Sequence, residues 1–272
     1  MSLAAACSGR PGRSTLAALA LIGLAAALPI VLAPAGRSAG AAIDRCAVPA
    51  DLAELDAPLP HTAARLRAGR PLTIVALGSS STEGIGASGP EWSYPSRLAA
   101  WLRARFPGMS IRVVNRGIGG EMSAQMAARV DRDVLTEHPD LVIWQLGTNS
   151  ILHDLAPQNE IGVARSVIAR VQAAGADIML MDLQYAPRVL LHGRYHEMLR
   201  VLAAVARSAD VPLVHRFAMM RHWAEDGTMP LPVMLAKDRL HMSDTSYDCL
   251  AQQVAREIAA ADSPSLALAA HP

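Results

Sequence analysis

The sequence predicts an α/β fold in which a five-stranded parallel sheet lies between two layers of helices, a three-layer α/β/α sandwich. Two observations carry this prediction. Apolar runs typical of strands buried on both faces alternate along the chain with helical patterns of roughly ten to fifteen residues. Such alternation implies right-handed crossovers between parallel strands, and 272 residues are enough for one sizeable domain of this kind.

The first predicted elements follow a proline-rich lead-in. Pro49, Pro58 and Pro60 exclude one long helix in this segment and leave room for a short helix over 61–68. Residues 72–77 form an apolar run and predict the first strand. Residues 96–106 have a helical pattern that stops at Pro107-Gly108, which predicts the first crossover helix.

The same alternation continues towards the C-terminus. Further apolar runs predict strands at 111–114, 141–146, 178–182 and 211–214. The segments between and after them predict helices at 123–136, 159–174, 195–208 and 244–260. No internal repeat or low-complexity linker interrupts the pattern, so we expect a single domain over 43–262 and a frayed tail over 263–272.

The first 42 residues have the pattern of an export signal. Arg10 and Arg13 precede an uncharged apolar run over 16–32, small residues fill 33–42, and the first acidic residue is Asp44. A basic start, an apolar middle and a small-residue exit predict a secretory signal peptide over 1–42, and therefore a secreted or periplasmic protein. The alternative is an uncleaved signal anchor, which would tether the protein to a membrane. Pro29 and the small-residue exit favour cleavage.

The net charge bears on the binding partners of the protein, and the cysteine content bears on its disulfide bonding. The formal net charge is +1, so we expect no nucleic-acid partner. Beyond Cys7 in the leader, Cys46 and Cys249 are the two remaining cysteines. In an oxidising compartment we expect them to form a disulfide that joins the N-terminal segment to the last helix, the alternative being two buried free thiols.

Chemically useful side chains follow several predicted strands. Hydroxyls at 79–82 follow the first strand, and a glycine-rich segment over 115–121 follows the second. Asn149 follows the third strand, and Asp238 and His241 lie near the C-terminus. A serine hydroxyl becomes a nucleophile when a histidine takes its proton and an acid orients that histidine. Glycine N–H groups and an asparagine amide can form an oxyanion hole. These residues alone do not decide which serine would attack.

These blocks resemble those of the SGNH hydrolases, also called GDSL-type, a family of serine esterases and lipases on a flavodoxin-like sandwich. The resemblance covers essentially the whole chain after the leader. It implies that Ser80 is the nucleophile, within Gly78-Ser79-Ser80-Ser81-Thr82. It also implies that Asp238 and His241, spaced as the family's Asp-x-x-His block, are the orienting acid and the base.

The resemblance places three donors in the oxyanion hole: the backbone N–H groups of Ser80 and Gly120 and the side chain of Asn149. Two positions depart from the family pattern, because Ser79 and Ser150 stand where the family usually has aspartates. Neither position is the nucleophile, the base or the acid, so we expect an active enzyme.

The expected function is an exported esterase that hydrolyses a carboxylic ester with a small or medium acyl group, without a cofactor or a metal. Its substrate would be a small-molecule, lipid or acylated-glycan ester. The alternatives are an O-acyltransferase that uses the same site and a non-catalytic glycan-binding module on the same scaffold.

Three other patterns compete for a function. Residues 84–89 match the Gly-x-Gly-x-x-Gly pattern of dinucleotide sites, but they begin too far beyond the strand and Pro90 follows them. His192 and His196 have a metal-ligand spacing, but no third ligand accompanies them, which favours a surface pair. The methionine-rich stretches over 217–220 and 229–235 suggest either an acyl pocket or ordinary core packing.

Overall fold

The computed structural model describes residues 44–262. The predicted signal peptide over 1–42 and the predicted tail over 263–272 lie outside the described residues. No helix in the described part of the chain is long and apolar enough to cross a membrane.

A five-stranded parallel sheet forms the centre of the fold. Its strand order is β2-β1-β3-β4-β5, the flavodoxin-like order, which confirms the predicted fold class. The three central strands are buried along most of their length, which explains why their sequences are apolar on both faces. The strands are β1 (Leu72–Gly78), β2 (Ile111–Gly117), β3 (Leu141–Gln145), β4 (Asp177–Met181) and β5 (Leu213–Val214).

Helices occupy both faces of the sheet. In chain order they are α1 (Ala50–Ala53), α2 (Pro60–Arg67), α3 (Ser80–Glu83), α4 (Tyr94–Arg105), α5 (Ser123–Ala128), α6 (Val130–Asp133), α7 (Thr148–Leu152), α8 (Asn159–Ala173), α9 (Pro187–Leu190), α10 (Tyr195–Ala209), α11 (Arg216–Glu225), α12 (Leu231–Met234) and α13 (Asp244–Ala260). Helices α4 and α13 pack together, and α8 packs against both α5 and α10. The helices are divided between the two faces because the crossovers are right-handed and the chain changes direction across the sheet. It moves one way from β1 to β2 and the opposite way from β2 to β3, β4 and β5.

The prediction of one continuous helix over 123–136 is wrong. The segment forms α5, α6 and a 3₁₀ turn over Leu135–Glu137, and the helix breaks at Arg129. The Arg129 side chain is buried, and its guanidinium donates to the backbone carbonyls of Gly78 and Arg116 at the ends of β1 and β2. These distant contacts, which a local pattern does not contain, accompany the break.

The methionine-rich stretches pack into the core. Residues 216–225, for which no helix was predicted, form α11, and Met219 and Met220 are fully buried in it. Met229 and Met234 are buried as well. For these four methionines the structure therefore supports core packing, while other residues of the second stretch are exposed.

A disulfide joins Cys46 to Cys249, which confirms the predicted pair. Cys249 lies in α13, so the bond holds the N-terminal segment against the last helix. The two cysteines are 203 residues apart, and closing so long a loop removes much conformational freedom from the unfolded chain.

We expect a protein of residues 43–272, denatured but not reduced, to have no reactive thiol, and the same protein to have two after reduction. Replacing both cysteines by serine is expected to lower the free energy of unfolding by about 2 to 5 kcal/mol. Thiol titration and urea unfolding measure the two effects. Two reactive thiols before reduction would show that the bond does not form in solution.

Glu257 is a buried carboxyl in α13, and burial raises its pKa well above the usual value, helped by the nearby Asp56. A raised pKa means that the folded state holds the proton more tightly than the unfolded state. Its contribution to stability is therefore complete below about pH 4.5 and is lost as the pH rises through the folded pKa.

We expect Glu257→Gln to remove the loss of folding stability at high pH, because glutamine has the same shape as glutamate and no charge to bury. The variant should be more stable than the parent at pH 8, and the two should converge near pH 4, with about 1.4 kcal/mol gained for each pKa unit of the shift. Thermal unfolding of both proteins across pH 4–8 checks this. Parallel curves would contradict it.

Candidate active site

The turn after β1 orients one serine outwards and two inwards. Ser79 is buried, and both its N–H and its hydroxyl donate to Oε1 of Gln145 at 3.0 Å. Ser81 is buried as well, and its hydroxyl donates to Oε1 of Gln184 at 3.2 Å. Ser80 lies between them, is half-buried, and begins α3. Of the three serines that the sequence left open, only Ser80 is accessible.

The turn is tight because its neighbours include glycines with no room for a side chain. A Cβ on Gly78 would lie 2.0 Å from Oγ1 of Thr82, and a Cβ on Gly117 would lie 2.0 Å from the backbone nitrogen of Glu83. These two glycines therefore let α3 sit directly against the ends of β1 and β2. Any side chain at either position would displace the helix that begins with Ser80.

A short hairpin over 235–242 brings the predicted base to the serine. Leu235 and Met242 pair as an antiparallel bridge, and the Ala236 N–H donates to the His241 carbonyl at 2.8 Å. Nε2 of His241 lies 2.8 Å from Oγ of Ser80, and the histidine side chain is 12% exposed. The structure thus joins two residues that are 161 positions apart in the sequence.

Asp238 orients the histidine from the tip of the same hairpin. Its Oδ2 lies 2.5 Å from Nδ1 of His241, and its Oδ1 accepts from the backbone N–H groups of Leu240 and His241, both at 3.0 Å. Burial raises the pKa of Asp238, but the hydrogen bonds from the ring and from the two N–H groups outweigh burial and leave the pKa below its usual value. The carboxylate therefore stays charged at neutral pH and can hold a proton on Nδ1 of His241.

The glycine-rich loop after β2 passes beside Ser80. A Cβ on Gly119 would lie 3.9 Å from the Cβ of Ser80 and 2.9 Å from the carboxylate of Glu83. Gly120 has a left-handed backbone, with φ of +79°, which favours glycine there. The N–H groups of Ser80, Gly119 and Gly120 donate to no acceptor among the described residues. A Cβ on Gly120 would have no neighbour within 4 Å, so Gly119, which the sequence pattern did not single out, is the glycine that approaches the Ser80 side chain.

Asn149 is held by the same loop. It lies in α7, just after β3, and its side-chain nitrogen donates to the backbone carbonyl of Glu121 at 2.8 Å. The second hydrogen of that amide remains for another acceptor. The three predicted donors therefore come from the segments that follow β1, β2 and β3.

Two buried side chains stand beside the serines that depart from the family pattern. Gln145 receives the hydrogen bonds of Ser79, as described above, and Glu160 accepts a hydrogen bond from the hydroxyl of Ser150. Sequence reasoning missed Gln145 and Glu160. A polar residue at the end of an apolar strand was the available signal for Gln145.

The segment that matched the dinucleotide pattern supports the hairpin instead. A Cβ on Gly86 would lie 2.8 Å from the Cβ of His241 and 2.5 Å from the Met242 carbonyl, so this close approach requires glycine. The hydroxyl of Ser88 donates to Asp244, at the start of α13. These contacts explain the glycine at position 86 without a bound dinucleotide.

The histidine pair is divided between two structural elements. Nδ1 of His192 lies 3.1 Å from the carboxylate of Asp154, and His196 stacks against Tyr195 within α10. Among residues 44–262, no group of three or more histidine, cysteine and acidic side chains is arranged to hold a metal ion.

A model of the non-GDSL lipase-like family matches residues 45–263. The chain belongs to this family. The name agrees with the turn after β1, where Ser79 stands in place of the aspartate of a GDSL block. The family match thus covers the sheet, the serine turn, the glycine-rich loop and the Asp–His hairpin together.

Curated proteins that are similar to this chain are esterases. An acetylxylan esterase of Geobacillus stearothermophilus is 27% identical in an alignment of 203 positions that covers 68% of this chain and 90% of the relative. Esterase TesA of Pseudomonas aeruginosa is 32% identical in an alignment of 150 positions that covers 53% of this chain and 70% of TesA. The family match and these relatives make the chain a carboxylic ester hydrolase of the SGNH, GDSL-like type.

A solved structure supports the fold. A two-domain esterase (CEX) active on acetylated mannans superposes with a TM-score of 0.65 at 21% sequence identity. The superposition covers 78% of this chain and 56% of the two-domain esterase, so the chain spans just over half of that protein.

Proposed function

We propose that this protein is an exported serine esterase that hydrolyses a carboxylic ester with a small or medium acyl group through an acyl-enzyme on Ser80. One observation carries the proposal. Asp238, His241 and Ser80 form a continuous hydrogen-bonded series, and the serine at its end is accessible beside free N–H donors. In this arrangement the base takes the serine proton and the acid orients the base, which activates the serine for attack on an ester carbonyl.

In the first half of the reaction, Oγ of Ser80 attacks the ester carbonyl carbon while Nε2 of His241 takes the hydroxyl proton. The tetrahedral intermediate then collapses, the bond to the alcohol oxygen breaks, and His241 gives the proton to that oxygen. The acyl group remains on Ser80. Throughout, the charged Asp238 stabilises the imidazolium and keeps Nε2 directed at the reacting atoms.

In the second half, His241 takes a proton from a water molecule whose oxygen attacks the acyl carbon. The bond to Oγ of Ser80 breaks, the serine regains its proton, and the carboxylic acid leaves. In both halves the negative oxygen would accept from the N–H groups of Ser80 and Gly120 and from the Asn149 amide. One donor of this kind is typically worth about 3 to 4 kcal/mol of transition-state stabilisation.

Export is supported by the N-terminal pattern and by the disulfide. The basic, apolar and small-residue regions over 1–42 favour a cleaved signal peptide. The bond between Cys46 and Cys249 fits an oxidising compartment, where disulfides persist.

A panel of esters tests the proposal. We would assay p-nitrophenyl acetate, butyrate and octanoate together with acetylated xylan, the substrate in the name of one relative, and quantify the released carboxylic acid by chromatography. The expected result is turnover with one acid released for each ester consumed, and one fluorophosphonate adduct located on Ser80. Consumption of ester without release of acid would favour acyl transfer. Absence of both turnover and adduct in a folded protein would reject the serine esterase.

A further inference from the structure

A cavity of about 520 Å³ adjoins the Asp238–His241 hairpin. Two prolines, two leucines and an alanine form its walls, contributed by the start of α9, by α12 and by the first strand of the hairpin. Lys237 and Arg239 complete the lining and are its only polar side chains. The cavity is therefore apolar inside and positively charged at one side.

The two cations have this position because of the hairpin turn. The Arg239 N–H donates to the Ala236 carbonyl at 3.0 Å, which closes the turn and leaves Lys237, Asp238 and Arg239 at its tip. The Asp238 carboxylate folds back onto His241. Each cation is thus the sequence neighbour of the residue that orients the base.

Neither cation is neutralised within the structure. Among residues 44–262, the side chains of Lys237 and Arg239 form no ion pair, and they donate to no acceptor. The intervening Asp238 is engaged by His241. Lys237 is also the only lysine in the chain, in which arginine otherwise supplies the positive charge.

Arg239 occupies a backbone conformation that suits glycine or asparagine better. Its φ is +56°, in the left-handed region, where an ordinary side chain costs roughly 1–2 kcal/mol. Fold stability alone therefore does not favour an arginine at this turn position. A role for its charge in the cavity would account for it.

We propose that this cavity binds an anionic group, a carboxylate or a phosphate, carried by an apolar body in the alcohol part of the ester substrate. The inference rests on the proposed esterase function and narrows its substrate. A neutral sugar would bury hydroxyls against proline and leucine without hydrogen-bond partners, which is costly. A molecule with an apolar body and a negative end can pack its body against the apolar walls and pair its charge with the two cations.

The alcohol part is assigned because of the direction of the hairpin. His241 delivers the proton to the leaving alcohol oxygen, so the alcohol lies on the histidine side of Ser80. Asp238 lies in sequence between the two cations that line the cavity, it contacts His241, and His241 contacts Ser80, so the cavity is on the histidine side of the serine. The acyl part lies on the other side of the reacting carbon.

A matched pair of substrates tests the inference: 4-acetoxybenzoate, whose leaving group carries a carboxylate, and its methyl ester, which is neutral. We would measure kcat/KM for both with the parent, Lys237→Met, Arg239→Asn and the double variant. The ratio of anionic to neutral kcat/KM is expected to fall about tenfold in the double variant, through KM, because two close charge interactions are lost. The ratio is the readout, because any general change in the hairpin that carries Lys237, Asp238 and Arg239 affects both esters alike. Salt should lower the ratio in the parent only.

Arg188→Gln is the matched control. Arg188 is exposed and follows Pro187 of the cavity wall, but it does not line the cavity. Its loss removes one positive charge from the same region, as each single variant does, and should leave the ratio unchanged. An equal fall in Arg188→Gln, or no fall in the double variant, would overturn the inference.

A second substrate pair tests the side of the ester. With p-nitrophenyl hemiglutarate and p-nitrophenyl butyrate the charge lies on the acyl part, and we expect no dependence on Lys237 and Arg239. A fall confined to this pair would show that the assignment to the alcohol part is wrong.

A binding measurement in a variant that cannot turn over substrate tests the anion site independently of the esterase proposal. In Ser80→Ala, calorimetric titration should give tighter binding of 2-naphthoate than of 2-naphthylmethanol, and Lys237→Met with Arg239→Asn should remove the difference. Equal binding of the two probes would overturn the anion site whatever the turnover. Selective binding of 2-naphthoate in a protein without esterase activity would support the site and reject the esterase.

Discussion

Replacing Ser80 by alanine is expected to reduce kcat for p-nitrophenyl acetate by about 10⁶-fold while leaving the fold intact. Within the described residues 44–262, the Ser80 hydroxyl is the only group that hydrogen-bonds Nε2 of His241, at 2.8 Å, so no other nucleophile in that range is positioned to replace it. Effects of this size are typical when one member of a serine triad is removed, because the remaining members cannot act alone. Steady-state kinetics and a circular dichroism melt measure the two parts of the prediction.

Ser79→Ala and Ser81→Ala are the matched controls, because each removes one hydroxyl from the same turn. The Ser79 N–H still donates to Gln145 when the hydroxyl is lost, so we expect the turn to persist. Both variants should retain activity within about one order of magnitude, in keeping with the loss of a single neutral hydrogen bond. Normal activity in folded Ser80→Ala would reject this residue as the nucleophile.

The strands and the long helices were predictable because their determinants are local. The central strands are buried on both faces, which leaves an apolar run such as 141–146 in the sequence. The last helix was predicted with the bounds that the structure has. Its start is stabilised by Ser243, whose side chain accepts from the Ser246 N–H, and such caps lie within a few residues of the helix they start.

The choice among the three serines was not local. Ser79 and Ser81 are withdrawn from the surface by Gln145 and Gln184, which lie 66 and 103 residues away in the sequence. A turn rich in hydroxyls shows that a serine can be exposed there, but it does not show which one. The resemblance to a known family supplied Ser80, and the positions of the two glutamines give the physical reason.

The break in the helix predicted over 123–136 has the same kind of cause. The apolar pattern continues through Arg129, and no proline or glycine interrupts it. The chain turns there while the guanidinium reaches carbonyls 13 and 51 residues away. Local propensity favoured a continuous helix, and tertiary contacts accompany the break.

Arg129→Leu is expected to lower the free energy of unfolding by about 3 to 5 kcal/mol, because it leaves the carboxylate of Glu121 without its partner in a poorly exposed site. The Arg129 side chain is 5% exposed, and it contacts Glu121 at 2.7 Å and Asp133 at 3.3 Å. The backbone carbonyls of Gly78 and Arg116 also lose their donor. Urea unfolding measures the loss.

The same substitution is expected to lower kcat at a temperature where the protein is still folded, by about tenfold. Arg129 joins the residue before the serine turn to Glu121 of the glycine-rich loop, and the Glu121 carbonyl in turn accepts from the Asn149 amide. Loss of the guanidinium therefore loosens the proposed oxyanion donors relative to Ser80. Arg132→Leu is the control, because Arg132 pairs with the same Asp133 but is 76% exposed, and we expect little change in stability or kcat.

The Arg129→Lys variant separates the effect of the positive charge at this position from the effect of the planar guanidinium geometry. A lysine can keep an ion pair with Glu121, but its single nitrogen cannot at once reach the carbonyls of Gly78 and Arg116 from the positions that the planar guanidinium occupies. If Arg129 acts through geometry, the lysine variant should regain part of the lost stability and little of the lost kcat. Equal recovery of both would mean that the charge alone is needed. In that case the ion pair with Glu121 would be enough to align the oxyanion donors, and the hydrogen bonds from Arg129 to the carbonyls of Gly78 and Arg116 would not be needed.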